Sequence, residues 1–336
     1  MAEKFKQWRL AKHPSGVPTQ DCFDLVDTEI GDPAQGEVVI RTHYFSLDPG
    51  MRGRLSGDSY AAGLKIGDVI ESAGIGEIIA SNSDRYAVGD MVMGGLGWTE
   101  GNKFPDRGLQ KLDPALFDDT VRLTASIGVL GVPGLTAWFG LNDLGAPKAG
   151  ETVLISSAAG PVGATAGQIA KAQGLRVVGI AGGVRKCAYL GEVGFDAAID
   201  YKAENDLTQA IRAACPDGVD IYFDNVGGAM LDAAISNMKL GGRIVVSGQV
   251  AEYNRDRPVG IRNTTAFITH RLRMQGLVVY DYRKGFGDAQ TALAQMIRDG
   301  KLRYTEDISD GIERAPVAYQ ALFAGGNFGR RLIKTI

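Results

Sequence analysis

Ala158-Ala159-Gly160-Pro161-Val162-Gly163 (AAGPVG) lies between a β-branched run, Glu151 to Ser157 (ETVLISS), and a small-residue stretch that reads as helix, Thr165 to Gln173 (TAGQIAKAQ). The glycines therefore fall on a strand-to-helix turn. In a parallel α/β fold such a turn presents backbone N–H groups and the positive end of a helix dipole to a pyrophosphate. Gly160 and Gly163 occupy the second and third glycine positions of a G-x-G-x-x-G pattern, with Pro161 and Val162 between them, and Ala158 replaces the first.

The next strand is Arg176 to Ala181 (RVVGIA). Sites that prefer NAD carry a carboxylate at the tip of this strand, which accepts bonds from the ribose 2′-hydroxyl. Here the tip reads Gly182-Gly183-Val184-Arg185-Lys186, with no acid and two cations. A missing acid removes repulsion against a 2′-phosphate. Each charge-assisted hydrogen bond to that phosphate is worth about 1.5–3 kcal/mol, or about one to two decades of preference. The residues thus point to NADP(H). The competing reading makes Arg185 and Lys186 a solvated helix start.

Outward from this turn the chain alternates strands and helices, with strands expected at Ala197 to Tyr201, Ile221 to Asp224, Arg243 to Ser247 and Leu277 to Tyr280. Helices are expected at Ala289 to Ile297 and Pro316 to Phe323. Strand ends collect ligand contacts in such sheets. Tyr201-Lys202, Asn225-Val226-Gly227-Gly228 and Ser247-Gly248-Gln249 all stand at strand ends, though each also suits a plain turn.

Before residue 126 the pattern is different. Glu37 to Leu47, Asp68 to Ala80 and Met91 to Gly95 are β-rich and separated by Gly-Asp turns, as in a small antiparallel barrel. The last segment, Arg331 to Ile336, reads as a strand that returns to it. The expected organisation is a barrel over 1–125, a nucleotide-binding domain over 126–300 and a return segment over 301–336.

Composition narrows the class. A net charge of −3 gives no general attraction to nucleic acid or anionic membrane. The basic stretch Arg255 to Arg273 lacks the aromatic interleaving of a single-strand binder. The 46 glycines among 336 residues suit a turn-rich barrel joined to a glycine-looped fold. Cys22, Cys187 and Cys215 are odd in number and far apart, which favours a reducing compartment. With no signal-like N-terminus and no membrane-length apolar run, a cytoplasmic protein is expected.

Further motifs complete the picture: Leu47-Asp48-Pro49, Met51-Arg52-Gly53-Arg54, Gly131 to Ala137 (GVPGLTA), Phe223 to Gly228 (FDNVGG), Arg273 to Gly276 (RMQG) and Gly326-Asn327. With these, the chain resembles the zinc-free medium-chain dehydrogenase/reductases end to end. The specific branch is that of leukotriene dehydrogenases, prostaglandin reductases and alkenal double-bond reductases. The resemblance implies an α/β Rossmann doubly wound parallel sheet plus a GroES-like β-barrel catalytic domain, and a homodimer.

Carried over by position, the resemblance implies that Gly160 to Gly163 hold the pyrophosphate and that Lys186 and Tyr201 bind the 2′-phosphate. Asn225, Ser247 and Gly248 would contact the cofactor. Leu277, Val278 and Val279 would offer backbone groups to the nicotinamide amide, and Asn327 would close over the cofactor. Tyr253 matches a tyrosine near the substrate carbonyl, with Tyr44, Gly50 and Met51 at the substrate pocket. Gly50 stands where the family usually has a tyrosine, which reshapes the pocket.

A catalytic zinc needs three protein ligands, commonly Cys and His, and the three histidines (His13, His43, His270) and three cysteines are scattered. Without a Lewis acid, alcohol oxidation is disfavoured and conjugate reduction stays accessible. Hydride from NADPH would add to the β-carbon of an α,β-unsaturated aldehyde or ketone. Tyr253 and the cofactor ribose would then donate to the carbonyl oxygen. Quinone reduction is the alternative chemistry, and a non-catalytic NADPH-binding protein the alternative class. No G-x-S-x-G elbow supports a serine hydrolase.

Overall fold

A computed structural model describes residues 3–57, 62–326 and 328–336. Two compact units divide the chain: Gly128–Thr305 forms one, and Met1–Ile127 with Glu306–Ile336 forms the other.

The chain's early strands are β1 (Glu3–Leu10), β2 (Phe23–Ile30), β3 (Glu37–Ser46), β4 (Gly74–Asn82), β5 (Met91–Gly94), β6 (Gly101–Pro105) and β7 (Gln110–Lys111), with one short helix, α1 (Met51–Ser56). The middle segment holds α2 (Val132–Phe139), β8 (Thr152–Ile155), α3 (Pro161–Ala172), β9 (Arg176–Ala181), α4 (Val184–Glu192), β10 (Ala197–Asp200) and α5 (Leu207–Ala214). It continues through β11 (Val219–Asp224), α6 (Gly228–Ile235), β12 (Met238–Val246), α7 (Thr265–Thr269), β13 (Arg273–Gly276) and α8 (Phe286–Arg298). The chain closes with β14 (Glu306–Asp310), α9 (Ala315–Phe323) and β15 (Arg330–Lys334).

In the Gly128–Thr305 unit six strands pair in the order β10-β9-β8-β11-β12-β13, every pair parallel. From β8 the chain moves to one edge through β9 and β10, then restarts on the other side at β11. The switch point therefore lies between β8 and β11, where such sheets bind ligands beyond the strands' carboxyl ends. All residues of β8 and β11 are buried. That explains why they read as unbroken apolar runs: a central parallel strand is covered on both faces. Leu154, Val178, Tyr222 and Ile244 form the core between sheet and helices, closed by Leu231, Ile235 and Ile211.

The expected strand Leu277 to Tyr280 is a correction. The sixth strand is β13, one turn earlier, and Val279–Gly285 forms a 3₁₀ turn. β13 is an edge strand whose Arg273, Gln275 and Gly276 are exposed, so it lacks an apolar signature. The β-branched run after it packs instead: Val279 is buried with Leu135, Phe139 and Ala289.

In the other unit, β14-β15-β3-β4-β5-β7 form one sheet and β6 also pairs with β3. Its pairs are antiparallel except β14–β15, which run parallel because α9 crosses over between them. β15 returns against β3, Leu332 opposite Ser46. Trp98, Tyr319, Phe45 and Phe23 pack edge-on and stacked in its core. Among the described residues no helix is long and apolar enough to cross a membrane.

Candidate active site

The AAGPVG turn is tighter than its glycine count suggests. Its left-handed residue is Ser157, at φ +50°, one position before the Ala158 that replaces the first glycine. Gly160 N–H donates to the Ser157 carbonyl at 2.9 Å, and Gly160 then caps α3 with Pro161 in the first turn. The helix thus begins four residues before the expected Thr165, because proline's fixed φ and missing N–H suit a first turn. A Cβ on Gly163 would stand 2.6 Å from the Ser157 carbonyl oxygen and 2.7 Å from the Ala158 Cα. Helix and turn can approach this closely only with glycine there. First-turn amides have no intrahelical acceptor. Val162 and Gly163 N–H therefore stand at the positive end of α3, a donor set for an anion.

At the tip of β9, Gly182 lies against the next strand's end. A Cβ there would meet Tyr201 Cε1 at 2.8 Å and Lys202 Cε at 3.0 Å. Gly183, at φ +91°, opens α4. Its N–H donates to Asp200 Oδ1 at 2.8 Å, and Lys202 N–H donates to the same oxygen at 3.1 Å. That carboxylate oxygen is occupied by backbone. Lys186 is half-buried in the first turn of α4; burial, and then the charge of Lys202, push its ammonium below the usual lysine value. The structure brings Lys186, Tyr201 and Lys202 to one strand-end corner and leaves Arg185 exposed.

Three strand ends interlock next to it. Asn225, after β11, donates its side-chain N–H to the Ser156 carbonyl and its backbone N–H to the Ser156 hydroxyl, both at 2.8 Å. This turns its side-chain oxygen away from that contact. Ser247 and Gly248, after β12, donate to the Asp224 carbonyl at 2.8 and 3.1 Å. Val250 and Ala251 N–H reach the carbonyls of Asn225 and Val226. Gly227 and Gly228, at φ +75° and +56°, leave room for the side chains of Gln249 and Glu252. Tyr253 completes the loop: its hydroxyl oxygen accepts from Gln249 N–H at 3.2 Å. A Cβ on Gly248 would lie 3.3 Å from that oxygen. After β13, Leu277 N–H donates to the Val246 carbonyl at 2.9 Å; Val278 is exposed and Val279 is in the core.

Three of the residues expected at a substrate pocket, Tyr44, Gly50 and Met51, belong to the other unit. Tyr44, on β3, is half-buried against Ile75, Leu112 and Leu332. Gly50 precedes α1 with an ordinary helical φ of −62°, and a Cβ there meets nothing within 4 Å. Met51, expected at a pocket, packs its side chain in the β-unit core with Leu10, Leu55 and Trp98. Asn327 lies outside the described residues. Among the described residues no group of three or more His, Cys, Asp or Glu is placed to hold a metal ion. His43 stands 3.8 Å from Glu77, and burial holds its imidazole below the usual histidine value.

Sequence reasoning passed over Asp224 and Ser156, and placed Lys202 at a strand end without assigning it to the phosphate. Lys202 adjoins Tyr201 and carries the same charge logic as Lys186. Asp224 lay within the quoted FDNVGG motif, a carboxylate embedded in an apolar strand.

Two family models match: one described as N-terminal domain of oxidoreductase over residues 6–112, and one as zinc-binding dehydrogenase over residues 161–298. Rat (Rattus norvegicus) prostaglandin reductase 1 is 40% identical, the match covering 98% of each chain. The NADP(+)-dependent 2-alkenal reductase of Nicotiana tabacum is 38% identical over 99% of this chain and 98% of its own. The crystal structure of CurA from Vibrio vulnificus in complex with NADPH superimposes with a TM-score of 0.92 at 36% identity, covering 98% of this chain and 99% of that one. Full-length similarity at this level, together with the parallel sheet and its glycine turn, carries one conclusion: the chain belongs to the medium-chain dehydrogenase/reductases, in the branch that holds the prostaglandin reductases and the alkenal double-bond reductases.

Proposed function

We propose that the protein reduces the carbon–carbon double bond of α,β-unsaturated aldehydes and ketones with NADPH. The observation that carries this reading is the placement of Tyr253. Its hydroxyl rests on the Ser247–Gln249 turn, at the carboxyl end of the sheet that also holds the glycine turn, and a backbone N–H occupies a lone pair of its oxygen. The O–H is thereby left to donate.

The residues present fit a dinucleotide with a 2′-phosphate. Gly163 lets the first turn of α3 close onto Ser157 and Ala158 so that its free N–H groups face an anion, and Lys186 with Lys202 concentrates positive charge at the strand end where NAD sites carry an acid. Lys186 and Tyr201 are assigned to the 2′-phosphate. Asn225, Ser247, Gly248 and the backbone of Leu277, Val278 and Val279 are assigned to the rest of the cofactor. NADPH, when bound, supplies the hydride. Tyr253 stabilises the negative charge that collects on the substrate carbonyl oxygen as the β-carbon is reduced, the role of a preorganised oxyanion donor. Tyr44 and Gly50 are assigned to substrate contact on the resemblance alone.

NADPH oxidation across a panel of linear and cyclic enals, enones and quinones, with product identification, tests the reading. Saturated carbonyl products are expected. Hydroquinone or semiquinone products with no alkene saturation would replace it with quinone reduction.

We also infer a homodimer. β13 ends its sheet with three of four residues exposed, an open strand edge of the kind that proteins cover by pairing. A second copy of this chain is the occupant argued for. Sedimentation equilibrium should give twice the 35.7 kDa chain mass; a monomer at micromolar concentration would refute it.

A further inference from the structure

Beneath the Asn225 turn lies a buried polar cluster to which the reduction assigns no role. Asp224 is fully buried at the end of β11, with β8 on one side and β12 on the other. Its Oδ1 accepts from the Tyr222 hydroxyl at 2.9 Å, the Ser156 hydroxyl at 3.2 Å, and the N–H groups of Val226 and Gly227 at 3.0 Å each. Its backbone carbonyl accepts from Ser247 and Gly248, and Ser156 in turn holds both nitrogens of Asn225. One aspartate and its serine neighbour therefore fix the ends of three adjacent strands.

The consequences extend to Tyr253. The loop that carries it is hydrogen-bonded to the carbonyls of Asn225 and Val226, so its position follows from the turn that Asp224 holds. Stability alone does not account for this residue. Burial pushes the Asp224 carboxyl above the usual range, and its Oδ2 is buried with no hydrogen-bond partner. A buried, half-satisfied carboxyl is unfavourable for folding, and such exceptions concentrate where function needs a fixed geometry.

We propose that Asp224 is a positioning residue for the reaction: through Ser156, Tyr222 and its own carbonyl it sets both the Asn225–Gly228 turn and the Ser247–Tyr253 loop, and with them NADPH affinity and the placement of the Tyr253 hydroxyl. The proposal rests on the roles assigned above to those two segments.

The test compares Asp224→Ala with Asp224→Asn, whose side-chain oxygen keeps the four donors, at a temperature well below either melting point. The alanine variant should raise the NADPH Kd, read by fluorescence titration, and lower kcat, each about tenfold for lost charge-assisted hydrogen bonds. It should also speed amide exchange at Val226, Gly227 and residues 247–253 in the protein without cofactor. The asparagine variant should stay within about threefold of the parent in all three readouts. A lowered melting point with Kd, kcat and exchange unchanged would overturn the proposal, as would asparagine behaving like alanine. If Asp224→Ala does not fold, Ser156→Ala carries the test: it removes the acceptor for Asn225 N–H and should raise the Kd about threefold, and no change there overturns the proposal equally. Titration and exchange need no turnover. A panel showing no alkene reduction beside altered exchange and affinity would therefore remove the assigned reaction and leave Asp224's role standing.

Discussion

Lys186→Ala should weaken NADPH binding by about ten- to a hundredfold, the worth of one charge-assisted hydrogen bond, and leave NADH binding within about twofold. The two cofactors differ only in the 2′-phosphate, so their comparison isolates the contact. Lys186 is suited to it by its surroundings. Burial and the neighbouring Lys202 charge both disfavour its ammonium, and a dianionic phosphate is the complement that relieves both. At the adjacent strand end, Asp200 Oδ1 accepts from the N–H groups of Gly183 and Lys202. Lys202 stays in the variant and keeps part of the attraction, which limits the loss. The sign with pH follows. A lysine whose free-protein value is lowered is pulled back up by a bound anion, so NADPH affinity should fall as pH rises through the free-protein value, and NADH affinity should not. Fluorescence titrations of both cofactors measure this. Equal losses with the two would move Lys186 out of the phosphate site.

How far the sequence could be read follows from what makes each element fold. β8, β9 and β11 were legible because buried parallel strands are continuous apolar runs, and the glycine turn was legible because it interrupts one. The charge pattern at Lys186 was legible too. Its meeting with Tyr201 depends on the register of β9 against β10, which sets Ala181 beside Asp200, and no spacing rule supplies that. β13 was missed because an exposed edge strand has no reason to be apolar. β14, Glu306–Asp310 (EDISD), is acidic at three of its five positions and was invisible for the same reason. β15 read as a strand, but its partners did not: β3 lies almost three hundred residues earlier in the chain. Asp224 read only as the last residue of a strand, because its role depends on groups that other strands bring to it. Only the folded chain shows one oxygen gathering four donors, from Ser156 just past β8, from β11 and from the turn after it.

Tyr253→Phe should lower kcat for enone reduction by at least tenfold, toward the about 10²–10³ typical of a lost oxyanion-hole donor, with the NADPH Kd within about twofold of the parent. Phenylalanine keeps the ring and removes one oxygen, so the comparison concerns the hydroxyl alone. That oxygen accepts from Gln249 N–H, which fixes its position and polarises the O–H it presents. Its removal also leaves Gln249 N–H without this acceptor, a loss of about 1 kcal/mol in the loop. The two effects separate in the kinetics. A hydroxyl that serves only to pin the loop acts on ground-state binding, so KM for NADPH would rise and kcat would hold. A hydroxyl that donates to the developing oxyanion acts in the transition state, so kcat and kcat/KM fall together. The substrate series sharpens the distinction. Enals and enones that place more negative charge on oxygen at the transition state should lose the most rate in the variant, because a hydrogen bond to an anion strengthens with its charge. A uniform, small loss across that series would assign Tyr253 to loop packing and leave the carbonyl oxygen to other donors.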